Sequence, residues 1–299
     1  MKEKTRRMIA NCLLLTAGAI WGGGFVVMKN ALDNISINYL LAIRFAIGAV
    51  GLSYTLFSKK NSLTKYALLG GVVTGGCLYG AFAVQTYGLL YTTAGKNALI
   101  TAIYVVLVPF ILWIQRKERP DTRVMVAAVM MLTGIALLSL NGSDGMNIGD
   151  FLTLLCGIGY ALHIVYVDKF EQRVDVMQLT CLQFAFASAY AWIAALIFEQ
   201  PPVSFGAETI GALAYCGIAG TLIALTLQNV GIKYASPEYA SLFMSTEAAF
   251  GCIFGVIFLH EAMTGRMMLG CILILCALVL SQVDWKAIMA KRKEAKNEA

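Results

Sequence analysis

Ten apolar stretches follow one another along this chain of 299 residues, with only short breaks between them. Each is close to the roughly 20 residues that a helix needs to cross the hydrocarbon core of a bilayer. Only 13% of the residues are charged, whereas soluble domains carry roughly a quarter, so a soluble enzyme and a separate extramembrane domain are both excluded. We therefore expect an all-α polytopic membrane protein in contact with a lipid bilayer. Its spans are predicted at 8–28, 37–57, 66–91, 97–115, 124–141, 149–168, 176–198, 209–232, 239–259 and 267–284.

The basic residues are unevenly divided between the two sides of these ten spans. With the N-terminus in the cytoplasm, 19 of the 23 Lys and Arg residues fall in cytoplasmic segments, and only Lys29, Lys96 and Arg266 fall outside. This asymmetry is the positive-inside pattern of membrane proteins, and it predicts that both termini are cytoplasmic. The net charge of +6 is thereby explained by topology, so we predict no nucleic-acid partner.

The first span has an alternative interpretation as a secretory signal peptide, because basic residues precede an apolar run that contains Ala17-Gly-Ala19. We prefer a retained span, since residues 13–45 resemble residues 152–184 at a shift of 139. Gly18 aligns with Gly157, Phe45 with Phe184, and Trp21 lies opposite Tyr160. A segment that is removed would have no reason to match.

The similarity continues later in each half at a shift of 143. Matches between polar residues carry the most weight, because apolar matches arise easily between membrane segments. The polar matches are Gln85/Gln228, Tyr91/Tyr234, Glu118/Glu261 and Arg123/Arg266. Each half contains five spans, an odd number, so equivalent helices cross the membrane in opposite directions. We therefore predict two inverted five-helix repeats, residues 1–143 and 144–285, followed by a basic cytoplasmic tail at 286–299.

Inverted repeats suit alternating access, because two similar units can exchange conformations and turn an outward-open cavity into an inward-open one. No phosphate-binding loop of the Walker type is present in the sequence, so a secondary carrier of small molecules is the leading hypothesis. A membrane-embedded enzyme and a non-transporting scaffold are the alternatives. No cofactor is expected, and a monomer is favoured because the small-residue pairs suit packing inside a ten-helix bundle.

Three ionisable residues lie within predicted spans, where a charge is costly unless it faces a cavity or a partner. Glu247 lies near the middle of span nine and suits an amine-bearing substrate or a coupling proton; an ion pair with Arg44 is the alternative. Arg44 has the donors to hold a carboxylate substrate, or else it has a structural role. His163 is either a proton relay or a hydrogen-bonded packing residue.

Four polar or aromatic residues are further candidates for lining a cavity, although such residues also hold helices together. They are Trp21, Gln85, Gln228 and Tyr104, which is the repeat equivalent of Glu247. The eight cysteines lie within spans, show no metal-ligand spacing and are interpreted as packing residues, so we predict no metal site.

Several of these motifs resemble the EamA family of the drug/metabolite transporter superfamily. They are Trp21-Gly-Gly-Gly-Phe25, Arg44-Phe45, Tyr91-Thr-Thr-Ala94 leading to Pro109, Tyr234-Ala-Ser236 leading to Glu247, and Glu118 and Glu261 after the fourth span of each half. The resemblance implies a ten-helix carrier of small organic metabolites such as amino-acid-like or drug-like solutes, often an exporter in the bacterial inner membrane. One departure is Glu247-Ala248, where family members often have Glu-Pro, which leaves no proline to kink span nine.

Overall fold

The computed structural model describes residues 3–57, 63–92, 94–117, 119–139, 147–202, 206–259 and 264–282. All regular secondary structure in these residues is helical, which confirms the prediction of an all-α protein. The α-helices are α1 (Glu3–Ala31), α2 (Ile37–Leu52), α3 (Lys65–Tyr91), α4 (Ala94–Thr101), α5 (Tyr104–Arg116), α6 (Thr122–Ser139), α7 (Ile148–Glu171), α8 (Val176–Phe198), α9 (Ala207–Ala214), α10 (Ala224–Tyr234), α11 (Pro237–Met244), α12 (Glu247–Leu259) and α13 (Gly265–Gln282).

Two further helical segments extend this set. A 3₁₀ turn, Ser53–Phe57, continues α2, and a π-helical segment, Tyr215–Ile223, joins α9 to α10 without a break. Six continuous helical segments within the described residues are long and apolar enough to cross a membrane; they are Thr5–Phe25, Ile37–Phe57, Lys65–Tyr91, Ile148–Glu171, Val176–Phe198 and Ala207–Tyr234. Shorter apolar helices accompany them, so the fold is that of a multi-pass membrane protein.

Two spans that the sequence predicts as single helices, 97–115 and 239–259, are each interrupted near the middle. The first is divided between α4 and α5 and the second between α11 and α12. At the second interruption, the hydroxyl of Ser245 donates to the Ser241 carbonyl and that of Thr246 to the Phe243 carbonyl, at 2.7 and 2.6 Å. Such bonds bend helices because they compete for backbone acceptors, so the interruption occurs without a proline.

Close helix contacts at glycines hold both interruptions in place. A Cβ on Gly22 of α1 would lie 2.8 Å from the Glu247 carbonyl oxygen and from the Gly251 nitrogen. A Cβ on Gly157 of α7 would collide with Ile103, which lies between α4 and α5. Helices α1 and α7 therefore each press against one broken span, as small residues at helix interfaces allow.

The remaining helices pack in pairs around the centre. Helix α2 packs on α8, α6 packs on α13, and α3 packs on both α7 and α8, while α1 packs on α10 and α12. The largest apolar core cluster combines residues of α5, α6, α7, α11 and α13, among them Val105, Met131 and Ile274. A second cluster centres on Leu41 and Phe184 in the α2 and α8 layer. The cavity described below lies between these two clusters, and Trp21 and Tyr160 contact both.

One polar cluster joins the start of α2 to the end of α8. The Glu199 carboxylate accepts hydrogen bonds from the backbone nitrogens of Asn38 and Tyr39 and from the Asn38 side chain, at 2.8 to 3.2 Å. A carboxylate is favourable at this position because the first amide groups of a helix lack partners within the helix. Glu199 thus caps α2 and fixes it to α8.

Several predictions fall on residues that the structure does not describe. Glu118, Glu261, the boundary between 143 and 144 and the tail 286–299 all lie outside the described residues. They stay predictions.

Candidate functional site

A central cavity lies among α1, α2, α3, α4, α5, α7, α10, α11, α12 and the π-helical segment. All seven residues proposed from the sequence line it: Trp21, Arg44, Gln85, Tyr104, His163, Gln228 and Glu247. These residues are far apart in the sequence, so it is the tertiary fold that brings them together. Their roles in the cavity stay predictions.

Arg44 is 2% exposed and is held on the cavity wall by one hydrogen bond. Its Nε donates to Thr221 Oγ1 at 2.8 Å, and its guanidinium carbon lies 4.4 Å from the centre of the Phe82 ring, within the range of a cation–π contact. Its Nη1 is buried and has no hydrogen-bond partner among the described residues. A guanidinium with a free buried donor is suited to bind an anionic group.

The π-helical segment supplies the partners of both Arg44 and Trp21. The Thr221 hydroxyl donates to the Cys216 carbonyl five residues earlier, at 2.7 Å, so that its oxygen is left to accept from Arg44. The Trp21 Nε1 donates to the Gly220 carbonyl at 2.9 Å. π-Helical turns are frequent at functional sites, and this one turns a hydroxyl and a carbonyl toward the cavity wall.

Glu247 is 5% exposed and begins α12, directly after the interruption of span nine. Within the described part of the chain, its carboxylate has no ion pair within 4.0 Å, so Arg44 is not its partner. Tyr104, Cys156 and Tyr160 lie within electrostatic range of this carboxylate. The ion pair considered in the sequence analysis is therefore absent from these described residues.

Three aromatic rings that line the cavity, those of Phe82, Tyr160 and Tyr104, form a row that begins at Arg44. Phe82, which stacks under Arg44, meets Tyr160 edge to face at 5.3 Å between ring centroids, and Tyr160 meets Tyr104 in the same manner at 6.4 Å. Tyr160 lies within electrostatic range of both charged groups. The cavity therefore presents a guanidinium, a carboxylate and apolar ring surface on its walls.

Gln85 and its neighbours form a hydrogen-bonded polar cluster on the cavity wall. Gln85 Nε2 donates to Thr101 Oγ1 at 3.0 Å, and its Oε1 accepts from the Tyr160 hydroxyl at 2.7 Å. These bonds join α3 to the end of α4 and to α7. Gln85 thus fixes the orientation of Tyr160 in the aromatic row.

On another wall, His163 lies between two glutamines. Its Nε2 is 3.0 Å from Gln183 Oε1, and its Nδ1 is 3.4 Å from Gln228 Nε2. His163 is completely buried, and Gln228 is 4% exposed. The hydrogen-bonded role considered in the sequence analysis is the one that this geometry supports.

Sequence reasoning did not propose four residues that shape the cavity: Phe82, Tyr160, Tyr215 and Thr221. Tyr160 had one signal, since it aligns with Trp21 in the repeat. Thr221 had none, because its position depends on the π-helical turn. Tyr215, whose hydroxyl donates to the Ile20 carbonyl at 2.7 Å, ties the same segment to α1.

Comparison with known proteins assigns the chain to a family. Residues 8–140 and residues 147–282 each match the EamA-like transporter family. A solved crystal structure superposes with a TM-score of 0.75 at 18% identity, covering 95% of this chain and 98% of that chain, which shows the shared fold.

Relatives with curated names point in the same direction. An uncharacterized transporter of Archaeoglobus fulgidus is 30% identical over 93% of this chain and 87% of its own length. A probable amino-acid metabolite efflux pump of Salmonella typhimurium is 22% identical, covering 90% of this chain and 93% of the relative. These names indicate a transporter rather than an enzyme, and the family matches together cover most of the chain. The protein belongs to the EamA-like transporter family.

Proposed function

We propose that this protein is a secondary carrier that exports small organic solutes bearing both an acidic and an amino group. The observation that carries the proposal is that Arg44 and Glu247 line one cavity and are not paired with each other. Two buried charges of opposite sign that stay apart are costly, because each has lost its hydration. A zwitterionic solute between them would compensate both.

The geometry suits such a solute at each end. Its carboxylate would accept from the Arg44 guanidinium, and its ammonium group would pair with Glu247 on the same cavity. The rings of Phe82 and Tyr160 offer apolar surface to the rest of the molecule. Amino acids and their metabolites have this chemistry, and one relative is named a probable amino-acid metabolite efflux pump.

Alternating access by two inverted five-helix repeats is the proposed mechanism. Helices α4 and α5 have the bounds 94–101 and 104–116, and adding 143 to each gives the bounds of α11 and α12, 237–244 and 247–259. Under this division, α2 is equivalent to α8 and α6 is equivalent to α13. The two helices of each pair pack on each other. The two separate family matches also support units divided near residue 143.

A proton gradient is the proposed energy source. A carboxylate that binds either a proton or an amine, but not both, couples their movements in opposite directions. Protons that move inward through Glu247 would then drive the amine-bearing solute outward. The positive-inside distribution supports cytoplasmic termini, and we place the protein as a multi-pass monomer in the bacterial inner membrane.

The test is transport by the purified protein in liposomes. We would load the vesicles with each of the protein amino acids in labelled form and follow efflux with and without a proton gradient. At least one amino acid should leave unchanged, faster than from protein-free vesicles and faster with the gradient. Appearance of a new compound would identify an enzyme, and absence of flux across the whole panel would contradict the proposal.

Two variants connect the flux to the cavity. Arg44→Gln and Glu247→Gln should each lower transport at least tenfold, because each removes one of the two charges that the substrate pairs with. Arg173→Gln and Glu208→Gln are matched controls, since both side chains are exposed and lie away from the cavity. Normal flux in either cavity variant would remove that residue from the mechanism.

A further inference from the structure

A chain of hydrogen bonds runs from the cavity wall to a backbone carbonyl within α8. We propose that this chain holds His163 as the neutral tautomer protonated on Nε2 and turns Gln228 Oε1 toward the cavity, where it accepts a hydrogen bond from a donor group of the substrate. His163 is then a positioning residue, and Gln228 is the residue that contacts the substrate. The role of Gln228 rests on the proposed function, whereas the state of His163 does not.

The direction of the chain is set at Thr180. Its hydroxyl donates to the Val176 carbonyl at 2.6 Å, and a carbonyl has no proton to give back. The Thr180 oxygen can therefore only accept from Asn229, whose Nδ2 lies 3.0 Å away. This contact fixes the amide of Asn229, so that its Oδ1 faces Gln228.

The donor or acceptor role of each further group in the chain follows from that of the group before it. Asn229 Oδ1 is an acceptor, so the group of Gln228 that lies 3.4 Å from it is the amide nitrogen Nε2. The same nitrogen lies 3.4 Å from His163 Nδ1, which must then be the unprotonated ring nitrogen. The ring proton is left on Nε2, where it is donated to Gln183 Oε1 at 3.0 Å.

The nitrogen and the oxygen of the Gln228 amide therefore have different surroundings. Both hydrogens of its Nε2 are used, one toward Asn229 and one toward His163. Its Oε1 has no hydrogen bond to any described residue, and Gln228 lines the cavity. The repeat equivalent, Gln85, differs, because both ends of its side chain are bonded to protein groups. The two glutamines therefore differ, and of the two only Gln228 has an amide oxygen without a hydrogen bond to a described residue.

The position of this acceptor suits the proposed substrate. Gln228 lies on the same cavity as Glu247 and Arg44, so its oxygen adds an uncharged acceptor to a site that otherwise has one carboxylate and one cation. A solute with an N–H or O–H group in addition to its carboxylate can use it. A site built to receive a hydrogen-bond donor discriminates strongly against analogues that lack the donor.

The state of His163 can be measured directly, because the sequence contains only two histidines. In a His260→Gln protein with ¹⁵N-labelled histidine, nitrogen NMR in lipid bilayers at neutral pH should show a protonated Nε2 and an unprotonated Nδ1. A doubly protonated ring, or a proton on Nδ1, would overturn the inference. This readout requires neither a substrate nor transport.

Variants at the origin of the chain test its direction. Thr180→Val removes the hydroxyl and should let the ring populate both neutral tautomers, whereas Thr180→Ser should restore the single Nε2-protonated form. Thr74→Val is the matched control, because Thr74 is equally buried and its hydroxyl bonds only to Gly70 of its own helix. An unchanged single tautomer in Thr180→Val would show that the chain does not set it.

The substrate contact is tested with the amino-acid panel used above. Gln228→Met keeps the length of the side chain but loses the oxygen, so the KM of a transported amino acid should rise about 10- to 150-fold, the range that corresponds to a hydrogen bond to a charged group. An unchanged KM in Gln228→Met would refute the contact. If no amino acid moved at all, the proposed function would fail while the NMR result stood.

Discussion

Because Arg44 and Glu247 form no ion pair in the described structure, we can predict how replacing each of them changes the free energy of unfolding. Both residues are almost completely buried on one cavity, yet no ion-pair contact within 4.0 Å joins them in the described structure. The perturbation is a double-mutant cycle of Arg44→Gln and Glu247→Gln. It measures whether either residue depends on the other for folding.

The expected magnitudes come from the bonds that each change removes. Glu247→Gln removes no described hydrogen bond or ion pair, keeps the shape of the side chain and removes a carboxylate that has lost its hydration, so the free energy of unfolding should stay the same or rise. Arg44→Gln removes its bond to Thr221, which is worth about 1.5–3 kcal/mol as a bond from a charged donor. That loss is partly offset because a buried charge with an unpartnered Nη1 is also removed. The coupling energy between the two changes should be below about 0.5 kcal/mol.

The assay is reversible unfolding of the purified protein in mixed micelles of mild and denaturing detergent. The positive control is a pair in direct contact, Asn38→Ala with Glu199→Gln, whose cycle should give a coupling of about 0.5–3 kcal/mol. If Glu247→Gln alone cost about 3–5 kcal/mol, the value expected when one partner of a buried ion pair is removed, the described separation of the two charges would be refuted. A large coupling energy would lead to the same conclusion.

Three other predictions concern packing, positioning and topology. Gly22→Ala should destabilise the protein by about 1–3 kcal/mol, since the added Cβ meets backbone atoms of α12 at 2.8 Å. Gly24→Ala on the same helix is the control, because its Cβ meets nothing closer than 3.7 Å and the melting temperature should not change. Equal melting temperatures would contradict the described crossing. Thr221→Val should raise the KM for a transported amino acid with little change in kcat, because Arg44 loses its only described hydrogen bond. Thr221→Ser keeps the hydroxyl and should return the KM to its original value. A fall in kcat alone would point to a different role for Thr221. Reporter fusions at both ends should report cytoplasmic termini, and an external C-terminus would exclude two five-span repeats.

The helical class, the membrane environment and seven of the residues that line the cavity were predictable from the sequence. The reason is energetic: a polar or charged side chain in a span is costly in hydrocarbon, so those that persist turn toward a cavity or a partner. Arg44, His163 and Glu247 could be chosen on this ground alone, and all three line the cavity. The predicted repeat supplied Tyr104 as the equivalent of Glu247 and Gln85 as the equivalent of Gln228.

The tertiary structure alone decided what each of these residues contacts. Whether Arg44 pairs with Glu247 depends on helix rotation and on the distance across the bundle, neither of which hydrophobicity specifies. The same holds for the interruption before Glu247, which arises from serine and threonine hydroxyls bonding to backbone carbonyls, and for the π-helical turn that brings Thr221 to Arg44. A span can be read from its composition because burial in lipid depends on each residue by itself, whereas hydrogen bonds depend on the relative placement of two atoms, which only the packed helices determine.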